Sequence, residues 1–137
     1  MIADGVVLDA SVAATALVEM TPEAERLRHR LAQVVTHAPH LIDAEVGHLL
    51  RRHTLVGTLS AARARVALED FLTLPIERFP HTALLPRAFE LRDNATIYDA
   101  RYLSLAEVLE APLLTRDRRL ARVPGVAARV EVVTNGS

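Results

Sequence analysis

Two short apolar runs constrain the fold of this chain more than any other feature. Val6-Val7-Leu8 near the start and Pro112-Leu113-Leu114-Thr115 near the end carry apolar side chains without alternation. A strand with no polar face must be covered on both sides, which is the condition of a parallel sheet sandwiched between helices. Ile76-Glu77-Arg78-Phe79 reads as a further short strand and Val130 to Val133 as the last. Helical patterns fill the intervals. Ser11 to Glu19 forms a brief helix, and Thr21-Pro22 supplies an N-cap followed by proline at the first helical position. Leu27, Leu31, Val34 and Val35 give the apolar face of the helix that follows, and Leu41, Ile42, Val46, Leu49 and Leu50 that of another after Pro39. Ser60 caps a helix that Pro75 stops, and two more run from about Ala83 to Leu91 and from Ile97 to Leu109. The expected class is α/β, a three-layer α/β/α fold with a central parallel sheet.

No repeat, low-complexity tract or linker divides the chain, so residues 1–137 are expected to form one domain with 135–137 as a frayed tail. The apolar runs fall short of the roughly 20 residues a membrane span needs, and no basic leader precedes a long apolar stretch. The expected address is cytoplasmic. Cysteine is absent, which removes disulfides, thiolate zinc sites and a cysteine nucleophile. Lysine is absent too, and all 16 basic residues counted apart from histidine are arginine. This excludes a P-loop lysine, a Schiff-base lysine and the lysine of a phosphoacceptor domain. Arginine suits phosphate, because its planar fork binds two oxygens at once. A net charge of −1 does not by itself mark a nucleic-acid binder.

Ligands of open parallel sheets bind beyond the carboxyl ends of the strands. Asp9 directly follows the first strand and Asp117 lies just past Leu114-Thr115, so both belong to that edge. Each also has a structural reading, as a turn or helix N-cap residue. Glu45 falls between Leu41 and Leu49 on a helical wheel, inside the apolar arc. A carboxylate aimed that way is paired, protonated or bound to a metal, unless it reaches round to solvent at the rim. Thr96 and Asp99 have the spacing of a capping box, yet Asp99 shares a face with Leu103 and Ala106. Four acids at one edge would repel one another, and a hard divalent ion such as Mg²⁺ or Mn²⁺ removes that conflict.

The segments carrying these acids resemble a known family. Val7-Leu8-Asp9-Ala10-Ser11-Val12 is similar to the opening of PIN-domain proteins, especially VapC-type toxins. Pro39 to Val46 resembles that family's second acidic segment, Tyr98 to Glu107 its third and Leu113 to Leu120 its fourth. The order and spacing agree along essentially the whole chain. The resemblance implies a PIN fold and a Mg²⁺- or Mn²⁺-dependent endoribonuclease that hydrolyses RNA. It further implies the toxin role in a toxin–antitoxin pair, a cognate antitoxin that blocks the active site, and a homodimer. Carried over by position, Asp9, Glu45, Asp99 and Asp117 are the expected catalytic metal ligands. Ser11 and Thr115 match hydroxyl positions that orient the site. Arg92, Arg101, Arg116 and Arg118 flank the acidic segments and are candidate contacts to RNA phosphates. Two rivals are a phosphatase using Asp9 as nucleophile, which lacks a second aspartate two residues on, and a non-catalytic RNA- or protein-binding module on the same scaffold.

Overall fold

The structure, a computed structural model, describes residues 5–134; the expected frayed tail, 135–137, lies outside them. Strand β1 (Gly5–Leu8) runs into helices α1 (Ala10–Val18) and α2 (Pro22–Leu31), then into β2 (Val35–Pro39). Helices α3 (Ile42–Leu55) and α4 (Ala61–Thr73) lead to β3 (Ile76–Phe79). A 3₁₀ turn at His81–Leu84 and helices α5 (Leu85–Glu90) and α6 (Ile97–Leu109) return the chain to β4 (Leu113–Thr115). A second 3₁₀ turn at Arg118–Arg122 connects to β5 (Val130–Val132).

All four strand pairings are parallel, in the order β3-β2-β1-β4-β5. The chain therefore moves outward from β1 in one direction and then crosses back to build the other side. The reversal falls between β1 and β4, where Val7 pairs with Leu113 and Leu8 with Leu114. That register sets the residues after Leu8 and after Leu114 side by side at the carboxyl edge. Helices cover the sheet on both faces, as the unbroken apolar strands require: β1 and β4 are buried at every position. The core runs from Phe71, Ile42 and Val46 through β1 to Leu103, Leu105 and Leu113, all close to fully buried.

Local chemistry explains most boundaries. Thr21, Ser60 and Thr96 each accept a hydrogen bond from the backbone N–H three residues on, capping α2, α4 and α6. One strand departs from the sequence reading. Val34 and Val35 were expected on the apolar face of α2, but that helix ends at Leu31 and Val35 opens β2. The β-branched Val34-Val35-Thr36 favours a strand. His37 obscures it, being a polar residue that lies 1 % exposed in an interior strand, its Nδ1 3.2 Å from Glu77 and its ring against Phe79. The helix expected over Ala83 to Leu91 is a 3₁₀ turn followed by a short α-helix, with Pro86 in the first turn of the latter.

Candidate active site

Asp9 stands at the point where the strand order reverses. It caps α1 and is 9 % exposed. Its Oδ1 accepts from the Ser11 hydroxyl at 2.6 Å and the Val12 N–H at 3.1 Å, and Oδ2 accepts from the Thr115 hydroxyl across the β1/β4 register. The structural reading of Asp9 as an N-cap holds, and the residue lies at the carboxyl edge as its place after β1 implies. Burial pushes its carboxyl above the ordinary range, the three donors pull it down, and the charge of Asp99 pushes it up again.

Asp99 lies in the first turn of α6. Its N–H is taken by Thr96, completing the backbone half of the expected cap. Its carboxyl is raised by burial and then by the negative charge of Asp117, against smaller lowering effects of Thr96, Arg119 and Arg101. Asp117 caps the 3₁₀ turn after β4, accepting from the Arg119 N–H at 2.9 Å. The Arg119 guanidinium bonds both of its oxygens at 2.7 to 3.2 Å and holds this carboxyl below its usual range. Glu45, in the first turn of α3, has its side chain 29 % exposed and accepts at Oε1 from the Tyr102 hydroxyl at 2.6 Å.

The chain thus brings to one edge four acidic positions from four separate elements. The repulsions link Asp9 to Asp99 and Asp99 to Asp117, while Tyr102 feels the charges of both Glu45 and Asp9. A sequence profile of the PIN domain matches residues 6–126. This chain belongs to the PIN-domain family.

Among relatives of this PIN domain, Ribonuclease VapC1 of Mycobacterium tuberculosis is 43 % identical, over 95 % of this chain and 98 % of that protein. Of solved structures, PAE2754 from Pyrobaculum aerophilum superposes with a TM-score of 0.69 at 23 % identity, covering 93 % of this chain and 83 % of that one. VapBC2 from Rickettsia felis, solved bound to a DNA fragment from its promoter, gives 0.68 at 16 % identity, covering 95 % and 99 %. At these identities the two structures show the shared fold.

The four arginines expected to meet phosphate divide in this PIN domain. Arg92 and Arg118 are exposed. Arg92 lies over the Phe89 ring, 4.4 Å from its centroid, and lines a cleft of about 400 Å³ with Asn94, Thr96, Asp99 and Arg119. Arg116 is tied down instead, bonding Glu19 and Thr15 at 2.7 Å each. Arg101 is 2 % exposed and turned into the protein, so it does not present its guanidinium to a ligand in solvent. Tyr102, which lies inside the third resembling segment without a role of its own in the sequence, is a site residue through its bond to Glu45. Its i+3 spacing from Asp99 was the available signal, since it puts both on one side of α6.

Among the described residues, no three His, Asp or Glu side chains as placed form a cage for a metal ion. Ser11 and Thr115 occupy Asp9, Tyr102 occupies Glu45, and Arg119 occupies Asp117. The donor chemistry nonetheless fits a hard divalent cation. The acids are all carboxylates, Asp9 is raised by burial and the charge of Asp99, Asp99 by burial and the charge of Asp117, and no cysteine competes.

Proposed function

We propose that this PIN domain is a divalent-metal-dependent endoribonuclease that hydrolyses RNA phosphodiester bonds and serves as the toxin of a toxin–antitoxin pair. The observation that carries the reading is the meeting of Asp9 with Thr115 across the strand-order reversal, where the charge of Asp99 raises Asp9 and that of Asp117 raises Asp99. Such a cost is retained where a bound cation repays it. The identity to Ribonuclease VapC1 supports RNA as the substrate.

In this reading Asp9, Glu45 and Asp99 are the principal ligands of Mg²⁺ or Mn²⁺, with Asp117 beside them. When bound, the cation neutralises charge developing at phosphorus and makes water a competent nucleophile near neutral pH. The protein does the rest. Ser11 and Thr115 fix both oxygens of Asp9, and the Tyr102 hydroxyl fixes Glu45, so the carboxylates present one arrangement. The exposed guanidiniums of Arg92 and Arg118 hold RNA phosphates, and the cleft that Arg92 lines with Asp99 receives the strand. The resemblance to the family implies products that carry a 5′-phosphate and a 3′-hydroxyl.

The same reading makes residues 1–137 one cytoplasmic domain that pairs with a second copy and with an antitoxin. Exposed Met20 and Leu74 line an apolar groove of about 680 Å³ together with Leu17, Leu31 and Val34, which supports such docking. The test is incubation of purified full-length protein with total cellular RNA, with Mg²⁺ or Mn²⁺ and with EDTA. Discrete fragments that appear only with the metal are expected. Intact RNA under all conditions, together with no metal binding by calorimetry, would leave the non-catalytic module as the better reading.

A further inference from the structure

Arg101 is a cation buried where the fold alone does not require one. It sits within Ala100–Ala106, a stretch of α6 in which every residue is buried. Both terminal guanidinium nitrogens are shielded from solvent and make no hydrogen bond. Nη2 lies 3.7 Å from Oε1 of Glu45, a distance at which charges interact without sharing a proton. The guanidinium carbon is 5.6 Å from the ring centroids of Tyr98 and of Tyr102, so aromatic faces supply the remaining contact. Its charge is also felt at Asp99.

Burying a guanidinium with donors unmet is costly, and an apolar side chain of similar length would pack there without that cost. What such a side chain lacks is the positive field. Glu45 does not need Arg101 for its orientation, because the Tyr102 hydroxyl already supplies a 2.6 Å bond. Nor is the guanidinium accessible to RNA.

We propose that Arg101 is a resident counter-charge of the acidic site. It supplies part of the positive charge the carboxylates demand before a divalent cation arrives, and it competes with that cation for the charge of Glu45. This rests on the metal-dependent reading above. The division of labour is that Tyr102 positions Glu45 and Arg101 sets how strongly the acids attract a cation. Affinity for the metal is thereby held down in the free protein, and the missing hydrogen bonds let Glu45 leave Arg101 without breaking one.

The test is Mn²⁺ titration by calorimetry, with thermal unfolding in EDTA and in saturating Mn²⁺, on full-length wild type, Arg101→Met, Arg101→Lys and Tyr102→Phe. Arg101→Met should tighten Mn²⁺ binding by about tenfold, because a unit charge some 4 Å from a ligand oxygen is removed. Arg101→Lys, which keeps the charge, should stay close to wild type, and Tyr102→Phe should weaken binding. Arg101→Met should also gain more thermal stability from Mn²⁺ than wild type does. Folding of that variant only with Mn²⁺ is the same result in its extreme form. Unchanged or weaker binding by Arg101→Met overturns the proposal, as does failure to fold with and without Mn²⁺, which would make Arg101 a packing element. Absence of Mn²⁺ binding by wild type overturns the metal-dependent function itself, and with it this inference.

Discussion

The Tyr102 hydroxyl donates a 2.6 Å hydrogen bond to Oε1 of Glu45, joining α6 to α3 over the carboxyl edge of the sheet. Burial raises the Tyr102 phenol far above its ordinary range, and the negative charge of Glu45 raises it further. The phenol is therefore protonated, and a hydrogen-bond donor, at neutral pH and well above it. Glu45 is held by a group that cannot compete with it for a cation's charge.

Tyr102→Phe keeps the ring in place and removes only this bond. Loss of such a supporting contact typically lowers metal affinity or activity by about 10–100-fold, and a cleavage time course should show a decrease of that order. Stability should change by only about 1 kcal/mol in urea unfolding, since Glu45 is partly solvated.

Arg92 and Arg116 should behave differently although both flank acidic segments. Arg92→Ala, at an exposed site beside the cleft, should weaken binding of a non-cleaved single-stranded RNA and flatten its salt dependence by about one phosphate contact. Arg116→Ala should act on the fold, costing about 1 kcal/mol through the lost Glu19 pair, with the RNA salt slope unchanged. Binding isotherms at several salt concentrations, alongside denaturation curves, separate the two.

The sequence made these acids legible because each follows or precedes a strong local signal. Asp9 and Asp117 sit one and two residues beyond β1 and β4, and Asp99 follows the Thr96 cap. The strand β2 was not legible, since His37 and Thr36 are polar residues whose burial is decided by their neighbours β1 and β3. The fate of the arginines was hidden for the same reason. Arg101 and Arg116 occur in similar company in the sequence, yet one is enclosed by Tyr98, Tyr102 and Glu45 and the other reaches back to α1. Side-chain partners far apart along the chain leave no periodic trace.

Acid stability should depend on Glu107. Its carboxylate accepts from Arg87 at 2.9 and 3.1 Å and from the Ala127 N–H at 2.8 Å, tying α6 to α5 and to the segment before β5. Arg87 first, and the Ala127 N–H to a lesser degree, hold this carboxyl below its ordinary value of 4.5. A lowered folded value means stability that is complete above the ordinary carboxylate range and is lost as pH falls through the folded one. Glu107→Gln should cost about 1 kcal/mol at neutral pH, discounted for the exposure of Arg87. The gap to wild type should close in unfolding curves taken at progressively lower pH below about 4.5.

Asp99→Asn should make the metal-free protein more stable. Burial first, and then Asp117, raise the Asp99 carboxyl, so its ionised form is a burden on the folded state. That burden is absent at pH below the ordinary value of 3.8, grows as pH rises towards the folded value, and is complete above it. In EDTA the variant should therefore melt above wild type at neutral pH, with the difference vanishing in strong acid. A scan of melting temperature against pH reads both signs at once.

The same variant gives the most direct test of the central claim, that the acids at the β1/β4 edge are a metal-dependent nuclease centre. Wild type and Asp99→Asn, purified in parallel and shown to be folded, are incubated with total cellular RNA and Mn²⁺. Discrete cleavage by wild type and none by Asp99→Asn is the predicted result. Cleavage retained by the folded variant would contradict the assignment.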